Sequence, residues 1–270
     1  MALKWNEIES YAKDWVKEAG ESIKASFQKK LTVQTKSNEN DLVTNMDKET
    51  EQFFIGKIRN TFPEHRIMGE EEEHDQLTDL KGVIWIIDPI DGTMNFIHQQ
   101  RNFAISIGIY ENGIGKIGLI YDVVHDELYC GIKGRGAYVN ETKLPKLNGV
   151  AVKKAIVGVN ATWVTENDKI DPAILGRLVK DVRGTRSYGS AAIEMAYVAT
   201  GRVDAYISLR LAPWDYAAGA IIVEELGGVI TKLTGAPINL LEKSSILVAK
   251  PDLHKEIIDH YVTNFKEQTK

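Results

Sequence analysis

The stretch of the sequence best suited to chemistry spans residues 83–93 and reads VIWIIDPIDGT. It predicts an apolar strand that ends in Asp88, breaks at Pro89 and presents a second carboxylate, Asp91, three residues later. Two carboxylates at one strand end cannot both stay ionised at close range without a cation between them. Oxygen ligands favour Mg²⁺ or a similar hard ion, so the pair predicts a metal site. A solvated Asx-type turn is the alternative interpretation.

The residues around Asp88 and Asp91 limit the roles that these carboxylates can play. Gly92 permits a sharp turn, and Thr93 could cap a following helix whose N–H groups would face an anion. Aspartyl-phosphate phosphatases of the haloacid-dehalogenase type use D-x-D-x-T, in which alternate strand positions put both carboxylates on one side. Here the spacing is three and a proline lies inside it. Asp88 is therefore a better candidate for a metal bridge than for a covalent nucleophile.

Four consecutive glutamates, residues 70–73, follow a short predicted strand. Adjacent glutamates repel one another, so a solvated acidic loop is one interpretation of the run. In the functional interpretation, Glu70 is anchored to the strand and could ligate a metal or position a water. Glu72 and Glu73 would lie in a loop, and residues 70–80 are expected to be mobile without metal.

Two predicted helix starts could add groups to the same site. Asp215 stands at the start of an apolar helix, where it can serve as an N-cap or as a metal ligand. Gly189, Ser190 and Ala191 open another helix, whose free N–H groups could receive a ligand hydroxyl or phosphate. An ordinary helix start would show the same pattern. Together, however, these segments predict one site built from carboxylates and helix N-termini.

Composition limits the classes of protein to which the chain can belong. Its 270 residues include 33 basic and 38 acidic side chains, a net charge of −5, and 43% are hydrophobic, proportions typical of a soluble globular protein. Cys130 is the single cysteine, so no internal disulfide can form and a reducing cytoplasm is expected. The first residues are charged throughout and no apolar run approaches the ~20 residues that span a bilayer, so no signal peptide and no membrane partner are expected.

The acidic charge is concentrated in one segment. Residues 64–91 hold nine acidic and two basic side chains, so this segment carries −7 and the rest of the chain +2. Nucleic acid is not expected as a partner, because phosphate backbones are bound by clustered Lys and Arg. A small phosphorylated substrate is compatible with this charge, because bound metal ions can offset the carboxylates beside it.

The first half of the chain is predicted to be α+β. Apolar residues at three- and four-residue intervals from Trp5 to Phe27 predict a long helix, and Thr44 with Asp47 predicts the start of a second. Between them, residues 33–43 are expected to form a hairpin or an irregular loop. Strands are then predicted at 66–69, 83–88, 103–110, 114–123, 127–132 and 137–140, with a hairpin turn at Asn112-Gly113.

From residue 151 the pattern alternates between strand and helix, which indicates an α/β half. The predicted strands are 155–160, 203–208, 229–232 and 245–249, and the predicted helices are 171–182, 190–200, 215–226 and 252–266. We therefore expect an N-terminal subdomain at 1–145 with most of the metal ligands. A C-terminal subdomain at 146–270 would contribute Asp215 and the substrate side of a shared cleft.

Five motifs, taken in order, resemble those of the inositol monophosphatase family of Mg²⁺-dependent, lithium-sensitive phosphomonoesterases. They are Asp41-Leu-Val-Thr44-x-x-Asp47, Gly69-Glu70-Glu71, Trp85-Ile-Ile-Asp88-Pro-Ile-Asp91-Gly-Thr93-x-Asn95-Phe96, Gly189-Ser-Ala-Ala192 and Trp214-Asp215-x-Ala-Ala218-Gly219. The third motif combined with the Trp-Asp motif about 120 residues later is highly specific. The resemblance covers residues 36–228.

This resemblance implies a layered αβαβα sandwich, a homodimer, and two to three Mg²⁺ ions in a site between the two halves. Glu70, Asp88 and the carbonyl of Ile90 would hold the first ion. Asp88, Asp91 and Asp215 would hold the second, and Glu70 would reach a third through water.

The resemblance also implies the reaction. A metal-activated water, oriented by Glu70 and by a Thr93–Asp47 pair, would attack phosphorus in line, and no phosphoenzyme is required. N–H groups at Gly92 and Thr93 would steady the phosphate oxygens.

Two departures from the family pattern concern the substrate. Members that favour inositol phosphates typically have a glutamate seven residues before the Trp-Asp aspartate, where it holds a ring hydroxyl. Here that position is Ser208, and Arg210 lies two residues on. A lost carboxylate weakens polyol recognition, and a cation that points inward could attract a second phosphate. The family's H-x-x-P is also altered, to His98-Gln-Gln-Arg101.

The preferred function is hydrolysis of myo-inositol monophosphate, with broad specificity. The alternatives keep the mechanism but act on the 2′-phosphate of NADP(H), on fructose bisphosphate or on 3′-phosphoadenosine phosphates. A non-catalytic regulatory binding module is a remote alternative from a different class.

Overall fold

The computed structural model describes residues 2–28, 31–35, 42–71, 77–263 and 265. Within these ranges lie seven α-helices, fourteen strands and two short 3₁₀ helices, Val152–Lys154 and Ala161–Val164. The helices are α1 (Ala2–Ser26), α2 (Asn45–Thr61), α3 (Thr93–Gln99), α4 (Pro172–Asp181), α5 (Ala191–Ala199), α6 (Pro213–Glu225) and α7 (Pro251–His260). The strands are β1 (Val33–Thr35), β2 (Leu42–Thr44), β3 (Arg66–Gly69), β4 (Val83–Asp91), β5 (Ala104–Glu111), β6 (Ile114–Asp122), β7 (Glu127–Ile132), β8 (Gly136–Val139), β9 (Thr142–Lys143), β10 (Ile156–Val159), β11 (Gly184–Arg186), β12 (Ala205–Leu211), β13 (Val229–Thr231) and β14 (Ser244–Ala249).

The larger sheet contains β3 to β9 in sequence order. Its neighbouring strands are antiparallel except for β3 and β4, which run parallel, with Gly69 opposite Ile87. The predicted turn at Asn112-Gly113 is confirmed between β5 and β6. Both turn residues have positive φ, 52° and 77°, as a two-residue type I′ hairpin requires. The parallel pair brings the carboxyl ends of β3 and β4 to one edge, where the functional site lies.

The predicted break at Pro89 is wrong. β4 continues to Asp91, and its pairing with β5 shifts register between Asp88 and Asp91. Pro89 and Ile90 together oppose a single residue of β5, Ile105, which makes this a β-bulge. A bulge tolerates proline because the inserted residue makes no ladder hydrogen bond. The extra residue also changes the alternation of faces, so carboxylates three positions apart can lie on the same side of the strand.

The smaller sheet has the order β11-β10-β12-β14-β13. β10 is parallel to β11 and β12, whereas β14 is antiparallel to β12 and β13. β11 was not predicted, because its three residues show no apolar alternation. The helix predicted at 252–266 ends at His260, after which the chain turns so that Val262 is buried. None of the helices within the described ranges is long and apolar enough to cross a membrane.

The core residues divide the molecule into five layers. One cluster joins α1 and α2 to one face of the larger sheet, and a second joins the other face to α5, α6 and the smaller sheet. A third joins the far face of the smaller sheet to α4 and α7. The predicted αβαβα sandwich is therefore confirmed. The predicted boundary between residues 145 and 146 falls between the strands of the larger sheet and those of the smaller sheet. That the two parts are subdomains stays a prediction.

A row of glycines sets the position of α6. Gly108, Gly118 and Gly131 are paired across β5, β6 and β7. A Cβ atom at Gly108 would lie 2.9 Å from Cβ of Ala217, and one at Gly131 would lie 2.7 Å from Cα of Ile222. These positions leave no room for a side chain, so glycine allows the helix backbone to lie directly on the sheet.

Two side chains of β5 fix the first turns of α6. The hydroxyl of Tyr110 donates to the carbonyl oxygen of Ala217 at 2.8 Å, and the hydroxyl of Ser106 donates to that of Trp214 at 3.2 Å. The glycine row and these two bonds hold the start of α6, which contains Asp215, next to the carboxyl end of β4.

Candidate active site

Three aspartates from two distant parts of the chain meet at the carboxyl end of β4. One oxygen from each of Asp88, Asp91 and Asp215 lies within 4.8 Å of the others. Asp88 and Asp91 flank the β-bulge and are buried, with 1% and 7% of their surface exposed. Asp215 is the third residue of α6 and is half-buried. Carboxylates from two separate segments of the sequence thus form one cluster.

Glu70 stands next to this cluster because it directly follows β3, which ends beside β4. Its carboxyl group lies close enough to Asp88 to raise the pKa of that residue. Ile90, within the bulge, donates its N–H to Oδ1 of Asp88 at 3.0 Å, and its carbonyl oxygen accepts the hydroxyl of Thr93 at 3.2 Å. The predicted ligands of the first metal are therefore neighbours.

Some sequence predictions concern residues outside the described ranges. Asp41, Glu72 and Glu73 are among these, and the predicted mobility of residues 70–80 extends across them.

The N-terminus of α5 holds Asp91. The hydroxyl of Ser190, the N-cap of this helix, donates to Oδ2 of Asp91, and the N–H of Ala192 donates to the same oxygen at 2.7 Å. Ser190 Oγ in turn accepts the N–H of Ile193 at 3.2 Å. The N–H groups at the start of α5 were expected to bind a ligand. In the structure, the N–H of Ala192 instead donates to Oδ2 of Asp91. The other oxygen of this carboxylate, Oδ1, remains for other interactions.

Asp215 is not the N-cap of α6. Ala212 occupies that position, and Oδ2 of Asp215 accepts its backbone N–H at 2.8 Å. A carboxylate at the third helical position can reach back to the N-cap in this way while its other oxygen stays available. The helix therefore orients Asp215 and does not use up its capacity as a ligand.

Burial and mutual repulsion disfavour the charged forms of these carboxyl groups. Burial raises the pKa of Asp88 well above its usual value, and the nearby charges of Glu70, Asp91 and Asp215 raise it further. The pKa of Asp215 is also well above normal because of burial and of Asp91 and Glu70. Burial raises the pKa of Asp91 to about 6, although the hydrogen bonds from Ser190 and Ala192 oppose the shift.

This donor set fits a divalent cation. Every donor is an oxygen, as Mg²⁺ prefers. Among the described residues, no ion pair with lysine or arginine includes Asp88, Asp91 or Asp215. A converging cluster of buried carboxylates without a cationic partner costs free energy unless protons or metal ions neutralise it.

Asp47 and Thr93 form the predicted hydrogen-bonded pair. The hydroxyl of Thr93 lies 3.3 Å from Oδ1 of Asp47, in addition to its contact with Ile90. Oδ2 of Asp47 accepts the N–H of Thr44 at 2.8 Å and its hydroxyl at 2.6 Å, which completes a capping box at the start of α2. Burial raises the pKa of Asp47 to about 7, against the opposing effect of the Thr44 hydrogen bonds.

Thr93 does not cap α3. The N-cap is Gly92, in the left-handed region at φ 98°, and Thr93 is the first residue of the helix. A Cβ atom on Gly92 would lie 3.2 Å from both the carbonyl oxygen of Asn102 and Cβ of Ser190. Glycine is needed for both the turn and the close approach of the segment before α5.

A pocket of about 180 Å³ opens beside the aspartates. It is lined by six of the residues expected to bind substrate, Asp91, Gly189, Ser190, Ala191, Ser208 and Arg210, but not by Gly92 or Thr93. Ser208 is buried where the pairing of β12 with β14 shifts register. Arg210 is exposed, and its guanidinium lies 5.5 Å from the ring centroid of Trp163, another lining residue.

Three residues of this site have no role that was predicted from the sequence. Trp163 and Glu194 belong to none of the five motifs, and Asn95 belongs to one of them without a predicted role. Glu194 lines the pocket and is 3% exposed, and burial raises its pKa to about 7. For Asn95, the only signal in the sequence was its position two residues after the Asp-Gly-Thr sequence.

The chain is similar to known proteins over nearly its whole length. The inositol monophosphatase family matches residues 4–266 of the chain. The inositol-1-monophosphatase of Bacillus subtilis (strain 168) is 62% identical over 258 residues, which cover 96% of this chain and 97% of that protein.

Solved structures show the same fold. The inositol monophosphate-bound structure of SaIMPase-II has a TM-score of 0.86 and 40% sequence identity, over 98% of this chain and 95% of that chain. An IMPase/NADP phosphatase complexed with Mg²⁺ and phosphate has a TM-score of 0.88 and 28% identity, over 95% of each chain.

Proposed function

Because the chain belongs to the inositol monophosphatase family, we propose that it is a Mg²⁺-dependent phosphomonoesterase that hydrolyses myo-inositol monophosphate to inositol and phosphate. The observation that carries the proposal is the convergence of Asp88, Asp91 and Asp215 within 4.8 Å beside a pocket. The name of the Bacillus subtilis relative and the ligand bound to SaIMPase-II support the choice of substrate.

The residues that would hold Mg²⁺ are those that the structure brings together. Glu70, Asp88 and the carbonyl of Ile90 would bind one ion, and Asp88, Asp91 and Asp215 a second; Glu70 could reach a third through water. When bound, Mg²⁺ would neutralise phosphate charge, lower the pKa of water and stabilise the entering and leaving oxygens.

Asp47 and Thr93 would orient the attacking water. Thr93 Oγ1 lies between two acceptors, Oδ1 of Asp47 and the carbonyl oxygen of Ile90. If its proton points to Asp47, a lone pair of the hydroxyl is free to accept a hydrogen bond from water. Thr44 holds the other oxygen of Asp47, which fixes the direction of the pair. Glu70, which follows the end of the neighbouring strand β3, would accept a hydrogen bond from the second O–H group of that water.

The alcohol part of the substrate would occupy the pocket lined by Ser208 and by residues 189–191. Its walls carry hydroxyl and backbone groups, which suit the hydroxyls of a polyol. The phosphate would lie toward the aspartates, with the N–H groups of Gly92 and Thr93 as further donors.

A substrate panel tests this function. We expect phosphate release in the presence of Mg²⁺ with a higher kcat/KM for myo-inositol 1-phosphate than for NADP, fructose 1,6-bisphosphate or 3′-phosphoadenosine 5′-phosphate. The same enzyme treated with a chelator is the control and should be inactive on all four. A negligible rate on inositol monophosphate would contradict the proposed substrate.

A second candidate is hydrolysis of the 2′-phosphate of NADP. The observation that favours it is Arg210, an exposed cation over the ring of Trp163 at the pocket. A guanidinium there can bind a second phosphate, and an aromatic ring can stack on a base. One of the similar structures belongs to an IMPase/NADP phosphatase.

Position 208 offers a way to separate the two candidates. We expect Ser208→Glu to lower KM for inositol monophosphate several-fold, because a carboxylate in the pocket can accept ring hydroxyls, and to raise KM for NADP. Arg210→Ala is the matched variant and should raise KM for NADP with little effect on inositol monophosphate. Michaelis constants for both substrates check this, and equal shifts for both would refute a role of these residues in substrate choice.

The remaining expectations are proposals of the same kind. We propose that the protein acts in the cytoplasm as a homodimer, that lithium inhibits it, and that residues 1–145 and 146–270 form two subdomains around the site.

A further inference from the structure

The backbone of Tyr188 is held at both its N–H and its carbonyl group by buried side chains. Oε1 of Glu194 accepts the N–H of Tyr188 at 2.7 Å, and Nδ2 of Asn95 donates to the carbonyl oxygen of Tyr188 at 2.7 Å. Glu194 and Asn95 are 3% and 8% exposed. We call this pair of hydrogen bonds the Tyr188 clamp.

The two side chains of the clamp belong to different layers of the fold. Asn95 lies in α3, directly after β4, and its second amide hydrogen binds the carbonyl oxygen of Asn102 at 2.8 Å. Its Oδ1 accepts from Gln99 at 3.1 Å. Both N–H groups and the oxygen of this amide are therefore occupied, which fixes its orientation. Glu194 lies in α5, so the clamp joins the helix after β4 to the segment that precedes α5.

Space for the clamp is provided by two glycines. Gly189 adopts φ 79°, and a Cβ atom there would lie 2.9 Å from Nδ2 of Asn95. On the other side, a Cβ atom at Gly158 of β10 would overlap Oε2 of Glu194. Oε2 has no hydrogen-bond partner among the described residues. The hydrogen bond from the N–H of Tyr188 to Oε1 is therefore the interaction that holds this buried carboxylate at the site.

Tyr188 is two residues from Ser190, and the clamp therefore sets where α5 begins. The hydroxyl of Ser190 and the N–H of Ala192 both bind Oδ2 of Asp91. A shift of the 188–190 segment would move these donors and rotate the carboxylate of Asp91. Metal affinity depends on such supporting contacts, whose loss typically costs 10- to 100-fold.

We infer that Glu194 and Asn95 are positioning residues, which hold the backbone of Tyr188 so that the start of α5 presents Asp91 to the metal. The inference rests on the proposed function, because the metal role of Asp91 is assigned there. It also gives Glu194 a role in the pocket other than contact with substrate.

The test measures Mg²⁺ binding alone by titration calorimetry, together with kcat, KM and Tm. Glu194→Ala and Asn95→Ala are each expected to weaken Mg²⁺ binding roughly tenfold and to lower kcat by a similar factor, with KM little changed. The double variant should be no more than about twofold weaker than either single one, because both remove the same clamp. Glu194→Gln keeps an oxygen acceptor for Tyr188 and should recover binding to within about threefold of the parent.

Two results would overturn the inference. One is unchanged Mg²⁺ affinity in both alanine variants, and the other is a Glu194→Gln variant as weak as Glu194→Ala. If an alanine variant does not fold, the two isosteric variants Asn95→Asp and Glu194→Gln replace it in the test. Asn95→Asp loses both N–H donors of the side chain and should bind Mg²⁺ more weakly than Glu194→Gln, despite its added charge. Equal or tighter binding by Asn95→Asp would count against the clamp.

Calorimetry with Mg²⁺ alone involves no substrate. If the parent enzyme is inactive on inositol monophosphate, the proposed substrate is refuted. If the clamp variants nevertheless lose Mg²⁺ affinity, the clamp is still supported.

Discussion

Asp91→Asn is expected to lower the rate of phosphate release at least about 1,000-fold, which corresponds to roughly 4 kcal/mol of activation free energy. The substitution removes one of the carboxylates that converge within 4.8 Å. The amide oxygen can still accept the hydroxyl of Ser190 and the N–H of Ala192, so the start of α5 should stay in place. Phosphate release at saturating Mg²⁺ and the Tm of the metal-free protein are the two measurements.

The Tm separates this effect from unfolding. Because neighbouring carboxylates raise the pKa values of Asp88 and Asp215, removing the charge of Asp91 should leave the Tm of the metal-free protein equal or higher. Asp259→Asn, on the outer helix α7, is the matched control and should retain activity. Near-parent turnover by Asp91→Asn would refute the assignment of Asp91 to the metal.

Mg²⁺ is expected to raise Tm by roughly 5–10 °C at about pH 8, when its concentration is near 100 times Kd. A much smaller rise is expected at about pH 5. Burial raises the pKa of Asp91 to about 6 and that of Asp47 to about 7 from the ordinary 3.8, and Asp88 and Asp215 shift in the same direction.

The direction of the pH effect follows from proton binding. Between the ordinary pKa and the raised one, the folded protein holds protons that the unfolded chain has released, so the stability of the metal-free protein falls as pH rises through this range. Mg²⁺ offsets the repulsion that remains at high pH, whereas at low pH it must displace protons. Thermal unfolding with and without Mg²⁺ at both pH values checks this. An equal Tm gain at both would contradict it, and Asp91→Asn should show a smaller difference.

Local signals in the sequence were sufficient for many elements of the fold. The turn at Asn112-Gly113 depends on two residues that accept positive φ, and the capping box of Thr44 and Asp47 depends on groups three residues apart. The apolar run before Asp88 is buried on both faces, which explains why it shows no alternation. In each case the deciding interactions lie within a few positions of the chain.

Other features could not be derived from local signals. Pro89 is typical of a strand end, but pairing with β5 turns it into a bulge. The row of Gly108, Gly118 and Gly131 has no local meaning, because its function is the close approach of a helix about 100 residues away. Nothing in the local sequence distinguishes Glu194 from other helix glutamates, because its role depends on the hydrogen bond from the N–H of Tyr188.

The sequence by itself determined which groups are available for chemistry: oxygen ligands at element ends, concentrated in an acidic segment, in an order that resembles one phosphatase family. Only the tertiary structure decided how these groups meet. The glycine row brings Asp215 to β4, the bulge turns Asp88 and Asp91 together, and α5 takes one oxygen of Asp91. The physical reason is that residue type and turn preference are local properties, whereas distance, burial and the resulting pKa shifts arise from packing between segments far apart in the chain.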